Sequence, residues 1–374
     1  MMEKIVIIRK AMDGFNGGER VCANLCNSLS THFDVTLINH YKNDSVYKLV
    51  KSVKLRFLHS KKGRLRKSLR NDILTLRKFI IKNSIGLIIV TDRLSLIIVT
   101  LACFLTNCRF FFLEQTSLLA QDVNNGSIKA KAYKILNQFL ITQGASKIIT
   151  LTSKERENYI RKYHINPKRI VSIYNFLDPV LQYYEPQYDK NSKKIISVGR
   201  ITPIKGYEYL IEVAKKIFVK YPSWQWDIYG QPEERYYKFL LNKLKDNHLE
   251  KFVHFYPATP DIYKKYGEYA LLVFTSIHEG FGMVLLEAKA CGLPLVSFDI
   301  FSGPSDIITN NYDGFLIPPY DTDFMAEVIL KLIQNENLRF TMANHARENI
   351  DKFFRENIIK KWENLINGFL KGVL

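Results

Sequence analysis

The 374-residue chain has few cysteines, and the five it has (Cys22, Cys26, Cys103, Cys108 and Cys291) form no CxxC pair. Their odd number and apolar neighbours exclude a disulfide or zinc framework and fit buried free thiols in a reducing compartment. The chain lacks a leader-like opening: MMEKIVIIRK enters a strand pattern at once, so no secretory signal is expected. It also lacks a long apolar run. The most apolar stretch, IGLIIVTDRLSLIIVTLACFL at 85–105, is interrupted by Asp92 and Arg93 and leaves 12 residues from Leu94. That is short of a membrane span and reads as a strand, a turn and a buried helix, in a protein that is soluble or peripheral. Low-complexity tracts are absent. Acidic residues are scarce: 36 Asp and Glu stand against 54 Lys and Arg, a net charge of +18. The excess favours anionic partners, meaning phosphorylated ligands, an acidic membrane surface or nucleic acid. A coding bias toward Lys, Asn, Ile and Tyr also accounts for it. No RNP-type strand, zinc spacing or helix-turn-helix is present, so nucleic acid is not an expected partner.

What is present is a globular composition, 47% apolar and 24% charged, on a length that suits two domains. Short β-branched runs alternate with helical stretches. Strands are expected at 4–10, 34–41, 53–58, 86–91, 109–114, 147–152 and 169–175. The alternation breaks over DPVLQYYEPQYDKNSK, 178–193, and resumes with strands at 194–200, 224–230, 252–257, 270–276, 294–299 and 314–319. Such alternation means parallel sheets covered on both faces. The expected fold is α/β: two doubly wound, Rossmann-like domains facing across a cleft. Their bounds are 1–178 and 194–353, with a linker at 179–193. A final helix, 354–374, packs back toward the first domain. Ligands of such sheets bind beyond the carboxyl ends of the strands.

The segment SIHEGFGMVLLEAKACGLPLV, 276–296, carries chemistry in apolar surroundings. After the strand ALLVFTS, the turn through Gly280 and Gly282 opens a helix, whose unpaired N–H groups and positive dipole end suit phosphate. Glycines there let a ligand approach the backbone. Glu287, inside an apolar helix, needs hydrogen-bonding partners, and a pair of sugar or ribose hydroxyls would serve; so would a core lysine. In VGRITPIKGYEYLIEVA, 198–214, Arg200 and Lys205 follow the strand that ends at Gly199. Two cations at a strand's carboxyl end can neutralise a diphosphate and the charge that grows on it as it leaves. A solvated surface pair is the other reading.

Together these residues resemble the family 4 retaining glycosyltransferases (glycosyl transferases group 1), which have the GT-B fold. The EX7E motif runs from Glu279 to Glu287. It continues in EAKACGLP (287–294), GPSDII (303–308) and NYDGFLIPPYD (311–321), while FNGGERV (15–21) resembles the family's glycine-rich first loop. The resemblance implies that Glu279, Arg200 and Lys205 act in catalysis. It implies that Gly17, Gly18, Gly199, Gly280, Phe281, Gly282, Met283, Val284 and Glu287 bind a nucleotide-sugar donor, with UDP the expected nucleotide. It implies no metal and no other cofactor, since no DxD flanked by apolar residues stands where a metal-dependent enzyme would have one. It also implies attack from the face the diphosphate leaves, with retention of configuration and with the leaving phosphate taking the proton. The chain departs from the family at Glu114-Gln115-Thr116, where relatives carry a histidine; Glu114 and Gln115 are candidate acceptor or sugar contacts. It departs again at Pro257, where a glycine is usual. His278 is expected to be held by its own loop.

For the acceptor, KKGRLRKSLRNDILTLRKFIIK at 61–82 can place Leu65, Leu69, Ile73, Leu76, Phe79 and Ile80 on one helix face. Lys61, Lys62, Arg64, Arg66, Lys67 and Arg70 crowd the other. The pattern fits an anionic membrane surface, or a core helix with a solvated basic face. The resulting expectation is a hexosyl or N-acetylhexosaminyl transferase. It would be peripheral on the cytoplasmic face of a bacterial membrane and extend a polyprenyl-diphosphate-linked glycan for capsule or lipopolysaccharide. A protein or soluble acceptor, a sugar-nucleotide epimerase, an inverting enzyme and an inactive scaffold stand as alternatives.

Overall fold

A computed structural model describes residues 2–14, 17–43, 45–59, 65–119, 128–185 and 187–373. The chain divides into two compact units, 1–175 with 355–374, and 176–354.

In the first unit β1 (Lys4–Arg9), β2 (Asp34–Tyr41), β3 (Lys54–His59), β4 (Leu87–Val90), β5 (Arg109–Leu113), β6 (Lys147–Thr150) and β7 (Ile170–Ser172) form one parallel sheet in the order β3-β2-β1-β4-β5-β6-β7. In the second, β8 (Lys194–Val198), β9 (Gln225–Tyr229), β10 (Val253–Tyr256), β11 (Leu271–Phe274), β12 (Leu295–Phe298) and β13 (Gly314–Ile317) run parallel in the order β10-β9-β8-β11-β12-β13. All thirteen expected strands are present. Strands such as LIIV of β4 and LLVF of β11 are buried at every residue, because helices cover both faces of a parallel sheet. In each sheet the order reverses beside the first strand of the unit, between β1 and β4 and between β8 and β11. The loops leaving the two strands there diverge, and ligands of doubly wound sheets bind at that point.

Two expectations change. The stretch 179–193 belongs to the second unit. Pro179–Gln182 is a short helix, the Tyr188 hydroxyl donates to the Ala270 carbonyl at 2.9 Å, and the Asp189 amide to Gly267 at 3.0 Å. The helix Leu65–Asn83 turns its apolar face inward: Leu76 and Ile80 are buried in the first unit's core, with Leu69, Ile73 and Phe79 packed against it. That face is therefore not open to lipid. Lys61, Lys62 and Arg64 lie outside the described residues, as do Phe15 and Asn16 of the glycine-rich loop.

The last helix, Arg355–Leu370, returns to the first unit. It buries Ile358, Ile359, Trp362, Leu365 and Ile366, spaced three and four apart, and sets Phe369 edge-on to Phe111 of β5 at 4.8 Å. Among the described residues no helix is long and apolar enough to cross a membrane. All five cysteines are buried and free.

Candidate functional site

The loops leaving β8 and β11 are fastened to each other at the second sheet's switch point. Gly199 donates to the Tyr229 carbonyl at 3.0 Å, and the buried Tyr207 hydroxyl donates to the Gly199 carbonyl at 3.0 Å. A Cβ on Gly230 would lie 1.9 Å from the Gly199 oxygen, so both turns run at backbone contact. Pro203–Lys205 makes one 3-10 turn that ends on Gly206 at φ 62°. From there the helix Tyr207–Phe218 starts. Thr275 donates its hydroxyl to the Lys205 carbonyl at 3.0 Å, and the Ile277 amide donates to Ile204 at 2.9 Å.

This fastening brings together residues 74 positions apart. The Lys205 ammonium forms an ion pair with the Glu279 carboxylate, and the two side chains are 18% and 14% exposed. Lys205 also lies over the Phe274 ring, 5.5 Å from its centroid. Arg200 is exposed at the mouth of the same loop. Burial lowers the pKa of His278, opposed by Glu279, and its ring makes no hydrogen bond to its loop among the described residues.

Gly282 at φ 88° opens the helix Met283–Ala290, and no side chain caps that end. The first amides of a helix have no acceptor inside it, so Met283 and Val284 present theirs at the loop. Glu287 lies one turn in and is 3% exposed. Phe281 is buried edge-on against Phe353 at 5.7 Å, so this residue offers a ligand its backbone and not its ring. Lys289, also buried, pairs with Asp313 of the NYDGF turn, and the same carboxylate accepts the Thr309 amide at 2.9 Å. Burial pulls the Lys289 pKa down against the pull of Asp313.

The loop after β12 completes the frame. Ser302 donates to the Gly280 carbonyl at 3.2 Å. Gly303 has φ 106°, and a Cβ there would stand 2.2 Å from the Phe281 carbonyl oxygen. Gly303→Ala is expected to cost about 1–3 kcal/mol in strain and to displace the Gly280–Gly282 turn. Thermal unfolding and nucleotide binding of the variant check this, and an unchanged melting temperature would contradict it.

In the first unit the sites gather around Arg9, which the sequence reading did not single out. From the end of β1 its guanidinium donates to the Thr91 carbonyl at 3.3 Å and to Gln115 Oε1 at 3.1 Å, tying the ends of β1, β4 and β5. The helix Gly17–Leu29 begins beside it. A Cβ on Gly18 would meet Arg9 and Gln115 at 2.8 Å, whereas one on Gly17 meets nothing within 4 Å, so the glycine requirement is at Gly18. Gln115 Nε2 is buried without a hydrogen-bond partner among the described residues. Glu114 is otherwise engaged: its carboxylate accepts from Arg93, from the Tyr159 hydroxyl, and from the Thr116 amide and hydroxyl at 3.2 and 2.9 Å. Behind it, Glu155 accepts the Leu118 amide at 2.7 Å and the Ser117 hydroxyl at 3.3 Å. Burial pushes the Glu155 carboxyl up to about 7; the Leu118 amide opposes this and the Glu114 charge reinforces it. Only the end-of-strand position of Arg9 could have marked it in the sequence; Tyr159 and Glu155 carried no local signal.

The sequence pattern described as Glycosyl transferases group 1 matches residues 185–349, and that described as Glycosyltransferase Family 4 matches 15–181. A Staphylococcus aureus poly(ribitol-phosphate) alpha-N-acetylglucosaminyltransferase is 33% identical over 243 residues, 63% of this chain and 47% of that one. The amylovoran biosynthesis glycosyltransferase AmsD of Erwinia amylovora is 25% identical over 372 residues, 98% of this chain and all of that one. The solved structure of Anabaena HepE with UDP and glucose superposes with a TM-score of 0.83 at 19% identity, covering 98% of this chain and 100% of that one.

Two Rossmann-like units with parallel sheets, superposable on HepE, give the chain the GT-B fold. The chain belongs to the glycosyl transferases group 1, family 4.

Proposed function

We propose that this enzyme transfers a hexose or N-acetylhexosamine from UDP to a growing, polyprenyl-diphosphate-linked glycan, with retention of configuration. It would act in bacterial surface polysaccharide or oligosaccharide synthesis, peripherally at the cytoplasmic face of the membrane. The observation that carries the reading is the meeting of Lys205 and Glu279 at the switch point, beside the exposed Arg200 and the uncapped start of the helix Met283–Ala290. The relatives that build amylovoran and modify poly(ribitol phosphate), and the UDP bound by HepE, support it.

In this reading the second unit takes the donor. Glu287 holds the ribose hydroxyls, and the amides from Gly280 to Val284 face the sugar and diphosphate. Arg200 and Lys205 take up the negative charge that develops as the bond from the anomeric carbon to the β-phosphate oxygen breaks, a role that needs no metal. The acceptor oxygen bonds to the anomeric carbon on the same face, and its proton passes to the departing phosphate oxygen. Glu279 holds Lys205 in place before donor binding and contacts the sugar afterwards. The first unit takes the acceptor. There Gln115, with its unspent amide, is the contact, and Glu114 fixes the loop.

The test is a thermal-shift titration with UDP and GDP. A ligand at 100 times its Kd stabilises the folded protein by about 2.7 kcal/mol. UDP is expected to raise the melting temperature of the wild type and not that of Glu287→Ala. Equal shifts in both proteins would remove Glu287 from the donor site, and a shift with GDP alone would overturn UDP as the donor nucleotide.

A further inference from the structure

The helix Ile128–Phe139 is sorted the wrong way round for water. Among its described side chains Asn137 is the buried one, 3% exposed, while Ile135 is 70% exposed, Phe139 60% and Leu136 41%. Ile135, Leu136 and Phe139 lie at positions i, i+1 and i+4 and share one face. Singly exposed apolar side chains are ordinary; a contiguous group is a contact surface. The helix Leu96–Cys103, whose Thr100 lies against 140–144, adds Leu101 at 47% exposure. The turn that follows it adds Phe104 at 65% and Leu105 at 83%. Leu105 sits at φ 55°, a left-handed conformation that Gly or Asn would adopt with less strain, yet a large apolar side chain stands there in solvent. Arg77 holds that turn by donating to the carbonyls of Ala102 and Phe104.

Charge identifies what covers the surface. No Asp or Glu occurs from 123 to 154, the helix itself carries Lys129, Lys131 and Lys134, and Lys131 is exposed one turn before Ile135. A second copy of a chain with net charge +18 would be repelled from it. An anionic bilayer would be attracted, and its interfacial zone would accept the apolar side chains. A 12-residue helix is about 18 Å long, enough to lie in the interface and too short to cross it.

We propose that the helix Ile128–Phe139, with the Phe104–Leu105 turn as a second anchor, is the surface by which this enzyme sits on an anionic membrane. The proposal rests on the membrane part of the function given above and assigns the contact to this helix, because the apolar face of Leu65–Asn83 is spent in the core. The Tyr133 hydroxyl donates to the Arg93 carbonyl at 3.4 Å, and Arg93 binds Glu114, so the helix adjoins the loops assigned to the acceptor.

The experiment is co-sedimentation of the full chain with vesicles of phosphatidylglycerol and phosphatidylcholine, or phosphatidylcholine alone, at about 0.15 M salt. Three proteins are compared: wild type, Ile135→Ser/Phe139→Ser, and Leu74→Ser/Ile81→Ser on the exposed side of Leu65–Asn83. The wild type is expected on the anionic vesicles. The first variant should bind about tenfold or more weakly with an unchanged melting temperature, since its substituted side chains are already in solvent, and the second should bind as the wild type does. A wild type that ignores the vesicles would overturn both the membrane reading and this assignment. A wild type that binds, with the first variant binding equally well, would overturn the assignment and leave the membrane reading standing. A wild-type dimer in sedimentation velocity that the first variant abolishes, with lipid binding unaltered, would make the face a self-interface and would also overturn it.

Discussion

Lys205→Ala should reduce turnover about 10²–10³-fold, the usual loss when a group that stabilises developing charge is removed. The melting temperature should barely move. The Lys205–Glu279 pair is partly solvated, at 18% and 14% exposure, and a pair of that kind contributes about 0–1 kcal/mol. The contrast separates a charge placed for the transition state from one placed for the fold. UDP release from a panel of UDP-hexoses and UDP-N-acetylhexosamines measures it without knowledge of the acceptor. Lys205→Arg keeps the charge but replaces a compact ammonium by a planar fork, and should recover part of the rate. A variant within threefold of wild type on the preferred donor would show that the pair is structural.

The second large effect concerns stability. The Glu155 carboxyl has an ordinary value of 4.5 and is pushed to about 7 in the folded protein, chiefly by burial. Its folded-state value is raised, so between these two pH values the folded chain holds a proton that the unfolded chain releases. Stability therefore falls as pH rises from 4.5 to about 7, and the full penalty, about 3 kcal/mol, applies above that. Glu155→Gln keeps an oxygen to accept from Leu118 and Ser117 and does not ionise. It should match wild type near pH 4.5 and be more stable by up to about 3 kcal/mol at pH 8. For a unit of this size that is about 6–12 °C in melting temperature. Scanning calorimetry at the two pH values checks the sign. An equal difference at both would mean that Glu155 is already ionised in the folded state.

Much of this protein was legible in the sequence. Each strand announces itself as a short β-branched run, because a parallel strand buried on both faces tolerates little else. The start of the helix at Met283 was legible for a related reason: glycine on either side of Phe281 marks a turn, and a glutamate inside an apolar run stands out because it needs partners, whether a ligand's hydroxyls or groups of the protein itself. Arg200 and Lys205 could be placed because each follows a recognisable strand.

Other features depended on which strands became neighbours. The order β8-β11 joins Lys205 to Glu279 across 74 positions, and the order β1-β4-β5 joins Arg9 to Gln115 across 106. No local pattern encodes either. The engagement of Glu114 by Arg93 and Tyr159 is hidden for the same reason, since these two partners come from separate elements. The two amphipathic helices make the point most sharply. Periodicity in Leu65–Asn83 and in Ile128–Phe139 shows that each has an apolar face, by the geometry of 3.6 residues per turn. It cannot show which face meets the sheet. Packing turned Leu76 and Ile80 inward on one helix, and turned Ile135 and Phe139 outward on the other. Sequence determined the elements and their chemistry because both arise from neighbours along the chain. Tertiary structure decided the pairings and the exposed face because those arise from neighbours in space.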